Sequence, residues 1–252
     1  MKTIRVCAAR FEEGDSQGDF QDKDLRRASD YPSQSDISWE TAKTVSLIWS
    51  IILPIGYGIV PLASKATGSE SFSAFAGELL MLTATTFILY QNGYLKTLNA
   101  NFKDLNAYAA GILAALLALV LNQLIDSTFS SDPSDMQVAI QASTSAQMLM
   151  LYLASAILAP LSEELLYRGY LLSSLRLVGM NRMVAVLLSA LLFAVAHLQV
   201  PAVPQLFLVG LCLGSAVISC NGNVASSFVG HALYNSLLFL NLVLALATQV
   251  DM

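Results

Sequence analysis

Long apolar blocks fill the chain from Thr44 onward, and they constrain the fold more than any other feature. Each block has about twenty residues, the length that a helix needs to cross a hydrocarbon core of about 30 Å. A helix satisfies its own backbone hydrogen bonds, whereas an open sheet would leave unpaired groups in lipid. The sequence therefore predicts an all-α fold, a polytopic bundle of transmembrane helices.

Seven of these blocks are predicted to span the membrane. They lie near residues 44–63, 74–91, 107–125, 146–164, 183–199, 203–220 and 224–247. Composition agrees, because 55% of the residues are hydrophobic and only 12% are charged, against roughly 25% charged residues in soluble domains. The lipid bilayer is thus the expected partner of most of the chain.

Residues 1–43 differ from the rest, since they hold seven of the thirteen basic and nine of the eighteen acidic residues. This segment has too little apolar surface to offset the cost of ordering, so we predict a disordered tail. It lacks the apolar stretch of a cleavable signal peptide. The net charge of −5, with both signs interleaved, argues against a nucleic-acid partner.

Basic residues mark alternate loops as cytoplasmic. Lys96 and Lys103 flank the second loop, and Arg176 and Arg182 flank the fourth. The N-terminus is therefore predicted to be cytoplasmic, and with seven spans the C-terminus lies outside. A bacterial cytoplasmic membrane is the favoured location, with an organellar or endoplasmic reticulum membrane as the alternative.

Charged residues inside the apolar second half are the main functional signal, because a charge at the centre of a span costs roughly 2.5 to 3.5 kcal/mol. The first group follows an apolar run and contains Glu163, Glu164 and Arg168. Glu164 and Arg168 are four residues apart, so they can form a helical ion pair, while Glu163 points about 100° away. Taken alone, this group also fits a surface salt bridge at a helix end.

The two histidines of the chain each lie in a different apolar block, with a partner residue four positions away. Phe193 precedes His197, and Asn235 follows His231. This spacing puts each pair on one helix face, so three helices can contribute to one internal cavity. Each histidine alone fits a core residue, and Asn235 alone fits a contact between helices. Together with the paired glutamates they favour a site.

Three motifs occur in order: EELLYR at residues 163–168, FAVAH at 193–197 and HALYN at 231–235. In them the chain resembles the CAAX-processing and bacteriocin-processing family of intramembrane endopeptidases, whose signature is EExxxR, FxxxH and HxxxN or HxxxD. The resemblance covers roughly residues 145–247. Together with the tail at 1–43, which composition predicts, this gives three parts: the tail, accessory transmembrane helices at 44–125 and a catalytic helical core at 145–247.

The resemblance implies hydrolysis of a peptide bond inside a helix-lined cavity. Glu163 would act as the general base that activates water, and His197 would help to hold that water. His231 and Asn235 would donate hydrogen bonds to the oxyanion, each donor contributing roughly 3 to 4 kcal/mol in other enzymes. The supporting residues would be Glu164, Arg168 and Phe193.

Two histidines and a glutamate also match the ligands of a catalytic zinc ion, which would be Glu163, His197 and His231. Glu164 would then be the remaining candidate base. We favour the metal-free form, in which a carboxylate activates water, and zinc stays the alternative.

Two other classes of function remain open. A protein of the same fold could act without catalysis, as a scaffold or an immunity factor, and a buried proton relay would fit a transporter. The lack of internal repeats argues against a transporter. The expected partner of an endopeptidase is a peptide or protein substrate in or at the membrane, prenylated or not.

Overall fold

The computed structural model describes residue 43 and residues 68–91, 93–96, 98–126 and 139–250. The predicted tail, apart from Lys43, and the first predicted span at 44–63 lie outside the described residues. In the described part, all regular structure is helical. The predicted all-α class is therefore confirmed.

Six long helices follow one another along the described chain. They are α1 (Glu70–Gln91), α2 (Leu105–Asp126), α3 (Ser145–Leu177), α4 (Arg182–Ala196), α5 (Val203–Ser219) and α6 (Val224–Val250). Short 3-10 turns at Tyr94–Lys96 and Val200–Ala202 lie in two of the connections. All but α4 are long and apolar enough to cross a membrane, α5 together with the 3-10 turn at Val200–Ala202 that precedes it. The six helices correspond in order to the predicted spans from 74–91 onward.

Helix α3 is longer than the predicted span at 146–164, because it continues to Leu177. It begins with a capping box in which Thr144 and Gln147 bond each other's backbone. Two π-helical segments, Ala154–Leu158 and Leu165–Leu172, interrupt its α-helical turns. Such wider turns often occur at functional sites. The charged motif therefore lies inside a helix rather than at its end.

Helix α4 is shorter than the predicted span at 183–199. Its fifteen residues give a length of about 22 Å, less than the roughly 30 Å of a hydrocarbon core. The helix ends at Ala196, and His197 caps it. Leu198 then adopts a positive φ of 52°, which turns the chain back toward α5. His197 thus lies at the end of a helix that is too short to cross a bilayer.

Small residues let the helices approach closely. At the crossing of α2 and α6, a Cβ added to Gly230 would lie 2.7 Å from the backbone oxygen of Gly111, and one added to Gly111 would overlap Ser226 O. At the crossing of α4 and α5, a Cβ on Gly210 would lie 2.9 Å from Ala190 Cα. Close packing of this kind holds helices together in lipid, where burial of apolar surface contributes little to helix association.

Two loops are hydrogen-bonded to each other at one end of the bundle. The side chain of Asn223, between α5 and α6, accepts a hydrogen bond from Asn101 N at 3.0 Å and donates to Asn101 O at 3.1 Å. Val224 N donates to Asn99 O at 2.8 Å. Helices α2 and α6 therefore begin on the same side of the bundle, as alternating spans require.

Candidate active site

A buried ion pair anchors the site to α3. Arg168 Nη1 donates to Glu164 Oε1 at 2.9 Å, and both side chains are buried. Arg168 Nη2 also donates to Gly210 O at 3.2 Å, which links α3 to α5. Because the two opposite charges lie at hydrogen-bonding distance, their attraction offsets the cost of burying them inside the bundle.

The same carboxylate orients His231 on α6. His231 Nδ1 lies 2.9 Å from Glu164 Oε1. Since a carboxylate paired with an arginine accepts hydrogen bonds, the Nδ1 atom carries the proton. The other ring nitrogen, Nε2, then faces Glu163 Oε2 at 3.7 Å. Glu164 thus fixes the orientation of this imidazole.

His197 is oriented by its own helix. Its Nδ1 lies 2.8 Å from Phe193 O, and a backbone carbonyl only accepts, so Nδ1 donates. In the neutral ring, Nε2 then carries a lone pair, and this atom lies 3.8 Å from Glu163 Oε1. The structure therefore places the Glu163 carboxylate between two imidazole nitrogens.

Access distinguishes Glu163 and His197 from their neighbours. About a quarter of each side chain is exposed, 26% for Glu163 and 29% for His197, whereas His231 is 5% exposed. The gaps of 3.7 and 3.8 Å are too long for direct hydrogen bonds. The three side chains Glu163, His197 and His231 therefore surround one gap, called the chamber below, which is partly open at the surface of the bundle.

Phe193 is the central packing residue of this chamber. Its ring meets His197, His231 and Tyr167 edge to face, with centroids 4.9, 5.8 and 5.4 Å away. The Arg168 guanidinium carbon lies 4.6 Å from its centroid, within range of a cation–π contact. One buried ring therefore sets the spacing of both imidazoles and the ion pair.

Asn235 is bound to the backbone of α3. Its Nδ2 donates to Ser155 O at 2.7 Å, in the first π-helical segment. Each wider turn shifts the backbone hydrogen bonds by one residue, which can leave a carbonyl for a side chain. The structure thus brings Glu163, His197 and His231 together and ties Asn235 to α3.

Two polar residues of the bundle were missed by the sequence analysis. Glu78 lies on α1, which packs against the part of α3 that carries Glu163. Asn122 on α2 is buried and donates from Nδ2 to Tyr234 OH at 2.5 Å. Each is a polar residue within an apolar block, and this criterion could have identified both from the sequence.

The comparison with known protein families covers the part of the chain that carries the three motifs. The family model of the type II CAAX prenyl endopeptidases, Rce1-like, matches residues 145–237, which contain all three motifs. The UPF0177 protein YxdF of Lactococcus lactis subsp. lactis strain IL1403 is 35% identical over 127 residues, 47% of this chain and 67% of that protein. The chain belongs to the Rce1-like family. No solved structure matches it significantly.

The Rce1-like family is a protease family, so membership together with membrane-spanning helices shows an intramembrane protease at the family level. The three motifs fall on α3, on the end of α4 with its C-cap His197, and on α6. Helices α1 and α2 lie outside the matched residues.

The structure shows no preformed metal site among the residues that it describes. Among those residues, no three His, Cys, Asp or Glu side chains are grouped closely enough to hold an ion. We therefore derive no chemical step through a metal.

Proposed function

We propose that this protein is an endopeptidase that hydrolyses a peptide bond of a substrate in or at the membrane, with Glu163 as the general base. The observation that carries the proposal is the position of the Glu163 carboxylate. It faces His197 Nε2 at 3.8 Å and His231 Nε2 at 3.7 Å, in a chamber within the bundle. A base, a water-holding group and an oxyanion donor are thus available in one place.

Water activation follows from the donor and acceptor pattern. A water molecule between Glu163 and His197 donates one proton toward the carboxylate and the other toward the Nε2 lone pair. Its oxygen lone pair then points away from both and toward a substrate carbonyl carbon. As the new C–O bond forms, Glu163 takes the water proton, a step that contributes typically 10²–10⁴-fold to the rate.

The oxyanion role of His231 sets a condition on its charge. Its Nδ1 proton is directed at Glu164, so Nε2 can donate to an oxyanion only when the ring carries both protons. The proposed mechanism therefore uses an imidazolium next to the Glu164 carboxylate. Asn235 adds a second donor, because its amide nitrogen has two N–H groups and Ser155 O takes one of them.

The substrate belongs to one of two classes. The description of the matching family model favours prenylated proteins that end in a CAAX sequence, and short peptides or membrane proteins form the second class. The basic residues Lys96 and Lys103 favour a cytoplasmic N-terminus. The loop that carries them joins the α5–α6 loop through Asn223, so both belong to the same side of the membrane.

The test is a comparison of membrane peptidomes from cells with wild-type protein and with Glu163→Gln. This substitution removes the base and keeps the shape of the side chain. We expect specific cleavage products to disappear and their precursors to accumulate. Glu70→Gln, an exposed residue at the start of α1, is the matched control and should behave as wild type. Identical peptidomes with an accumulated Glu163→Gln protein would support a non-catalytic scaffold instead.

A further inference from the structure

Two π-helical segments of α3 flank the residue that is proposed as the base. Glu163 belongs to the α-helical turns Ala159–Glu164, which lie between these two segments. The first segment accepts a side chain from α6, in the bond from Asn235 to Ser155 O. A carbonyl oxygen has two lone pairs, so it can accept from a side chain as well as from the backbone. The second segment accepts a side chain from α4 in the same way.

Ser189 on α4 makes the bond to the second segment. Its Oγ donates to Tyr167 O at 3.0 Å, and the serine is buried. Ser189 lies four residues before Phe193 and eight before His197, so the three side chains share one face of α4. The Phe193 ring in turn meets the Tyr167 ring edge to face at 5.4 Å. This face of α4 therefore lies along the part of α3 that carries Tyr167 and, four residues earlier, Glu163.

Helix α5 holds α4 from the other side at the same level. A Cβ on Gly210 would lie 2.9 Å from Ala190 Cα, so α4 and α5 are in backbone contact next to Ser189. Arg168, the residue after Tyr167, donates to Gly210 O at 3.2 Å. Two consecutive residues of α3 thus bind both helices of the α4–α5 pair, and the bond to α4 is the one from Ser189.

The position of this bond sets the position of His197. The eight residues from Ser189 to His197 span about 12 Å along the helix axis. Because a helix transmits a shift along its axis, a slide of α4 at Ser189 displaces His197 by a similar amount. His197 Nε2 lies 3.8 Å from Glu163 Oε1, and a shared water needs about 2.7 to 3.2 Å to each atom. A displacement of about 1 Å takes one of these distances out of range.

We propose that Ser189 is a positioning residue of the hydrolytic site that acts through His197, an inference that rests on the proposed endopeptidase function. Its hydroxyl holds α4 in the register that brings His197 Nε2 within reach of the water at Glu163. Loss of the hydroxyl slows the chemical step without removing a reacting group, because a misplacement of about 1 Å can cost about 10²-fold in rate.

The first experiment measures cleavage by the purified full chain in lipid vesicles. The probe is a peptide that spans a scissile bond recovered from the membrane peptidomes. We expect Ser189→Ala to lower kcat by about 10- to 100-fold and to change KM by less than about threefold. Ser226→Ala is the matched control and should behave as wild type, because this buried serine bonds Asn223 O, three residues earlier in its own chain segment. A wild-type kcat in Ser189→Ala would overturn the inference.

A pair of larger variants separates the hydroxyl from packing. Ser189→Thr and Ser189→Val add nearly the same volume, but only Ser189→Thr keeps a hydroxyl. We expect kcat of Ser189→Thr to exceed that of Ser189→Val by about tenfold or more. Equal rates in the two variants would assign the effect to packing and contradict the inference.

A double-mutant cycle shows whether Ser189 acts through His197. In the His197→Ala background, Ser189→Ala should have no further effect on kcat, because the ring that it positions is absent. A general structural effect would lower kcat by the same factor in both backgrounds, and this result would also overturn the inference.

Nuclear magnetic resonance of the imidazole nitrogens gives a readout that needs no substrate. The chain has two histidines, so His197→Ala assigns both sets of signals. We expect Ser189→Ala to shift the His197 signals, and Ser189→Thr and Ser226→Ala to leave them near their wild-type positions. Unchanged His197 signals in Ser189→Ala would overturn the inference and leave the proposed function standing. If no cleavage depends on Glu163, the proposed function fails, while the spectra still decide whether Ser189 positions His197.

Discussion

His231 Nδ1 lies 2.9 Å from Glu164 Oε1, the oxygen that also accepts the hydrogen bond from Arg168. A single buried carboxylate oxygen therefore neutralises a guanidinium and orients an imidazole on another helix. The neighbouring Glu163 makes neither contact and faces the chamber instead. Adjacent glutamates in one motif thus have different environments, which leads to different expected effects of the same substitution.

Glu164→Gln should destabilise the fold. The substitution leaves the Arg168 charge buried without its counterion, which costs about 3 to 5 kcal/mol. The free energy of unfolding in mixed micelles measures this effect. Glu163→Gln is the matched control, because this side chain is partly exposed and makes no buried ion pair with arginine. Equal losses of stability in the two variants would contradict the division of roles.

Asn235→Ala should affect both activity and stability. Loss of the bond to Ser155 O should cost about 1 kcal/mol of unfolding free energy. Loss of the second N–H from the oxyanion should lower kcat by about 10²-fold. Steady-state cleavage and unfolding measured on the same preparation separate the two effects. A stability loss with unchanged kcat would show that Asn235 is only a contact between helices.

Gly111→Ala should separate α2 from α6. The added methyl group overlaps Ser226 O, so the helices must shift, at a cost of about 1 to 3 kcal/mol. Denaturant unfolding in micelles checks this value. Leu116→Ala, at an exposed position of the same helix, is the control and should change stability by less than about 0.5 kcal/mol. Similar values for both variants would show that the crossing is not closely packed.

Chelation should leave cleavage unchanged. In the proposed mechanism the Glu163 carboxylate activates water, so dialysis against a strong chelator should preserve the rate. Elemental analysis of the purified protein should find less than one equivalent of zinc. Stoichiometric zinc together with chelator-sensitive cleavage would contradict the proposal and assign Glu163, His197 and His231 to a metal.

The apolar pattern predicted the order of the helices well, because a helix in lipid must be apolar along its length. It misplaced the ends of α3 and α4 for identifiable reasons. The predicted span ended at residue 164 because the charges at 163–168 were interpreted as a helix end. In the structure, Arg168 is buried against Glu164 inside α3. The α4 span was extended past His197, although the chain already reverses at Leu198.

Motif spacing predicted that Glu163, His197 and His231 belong together, since each lies on a helix face that can point inward. Spacing within a helix does not reveal contacts between helices. The bond from Asn235 to Ser155 O depends on a π-helical turn, and the bond from Asn122 to Tyr234 OH depends on how α2 packs against α6. Both follow from the tertiary arrangement and not from local pattern.

In the proposed mechanism, Glu163, His197 and His231 share one chamber that holds a reactive water. An experimental structure of the protein in lipid, at a resolution that shows ordered water, tests it most directly. We expect a water molecule within hydrogen-bonding distance of both the Glu163 carboxylate and His197 Nε2. Side chains that face lipid, or that lie too far apart to share one water, would contradict the account.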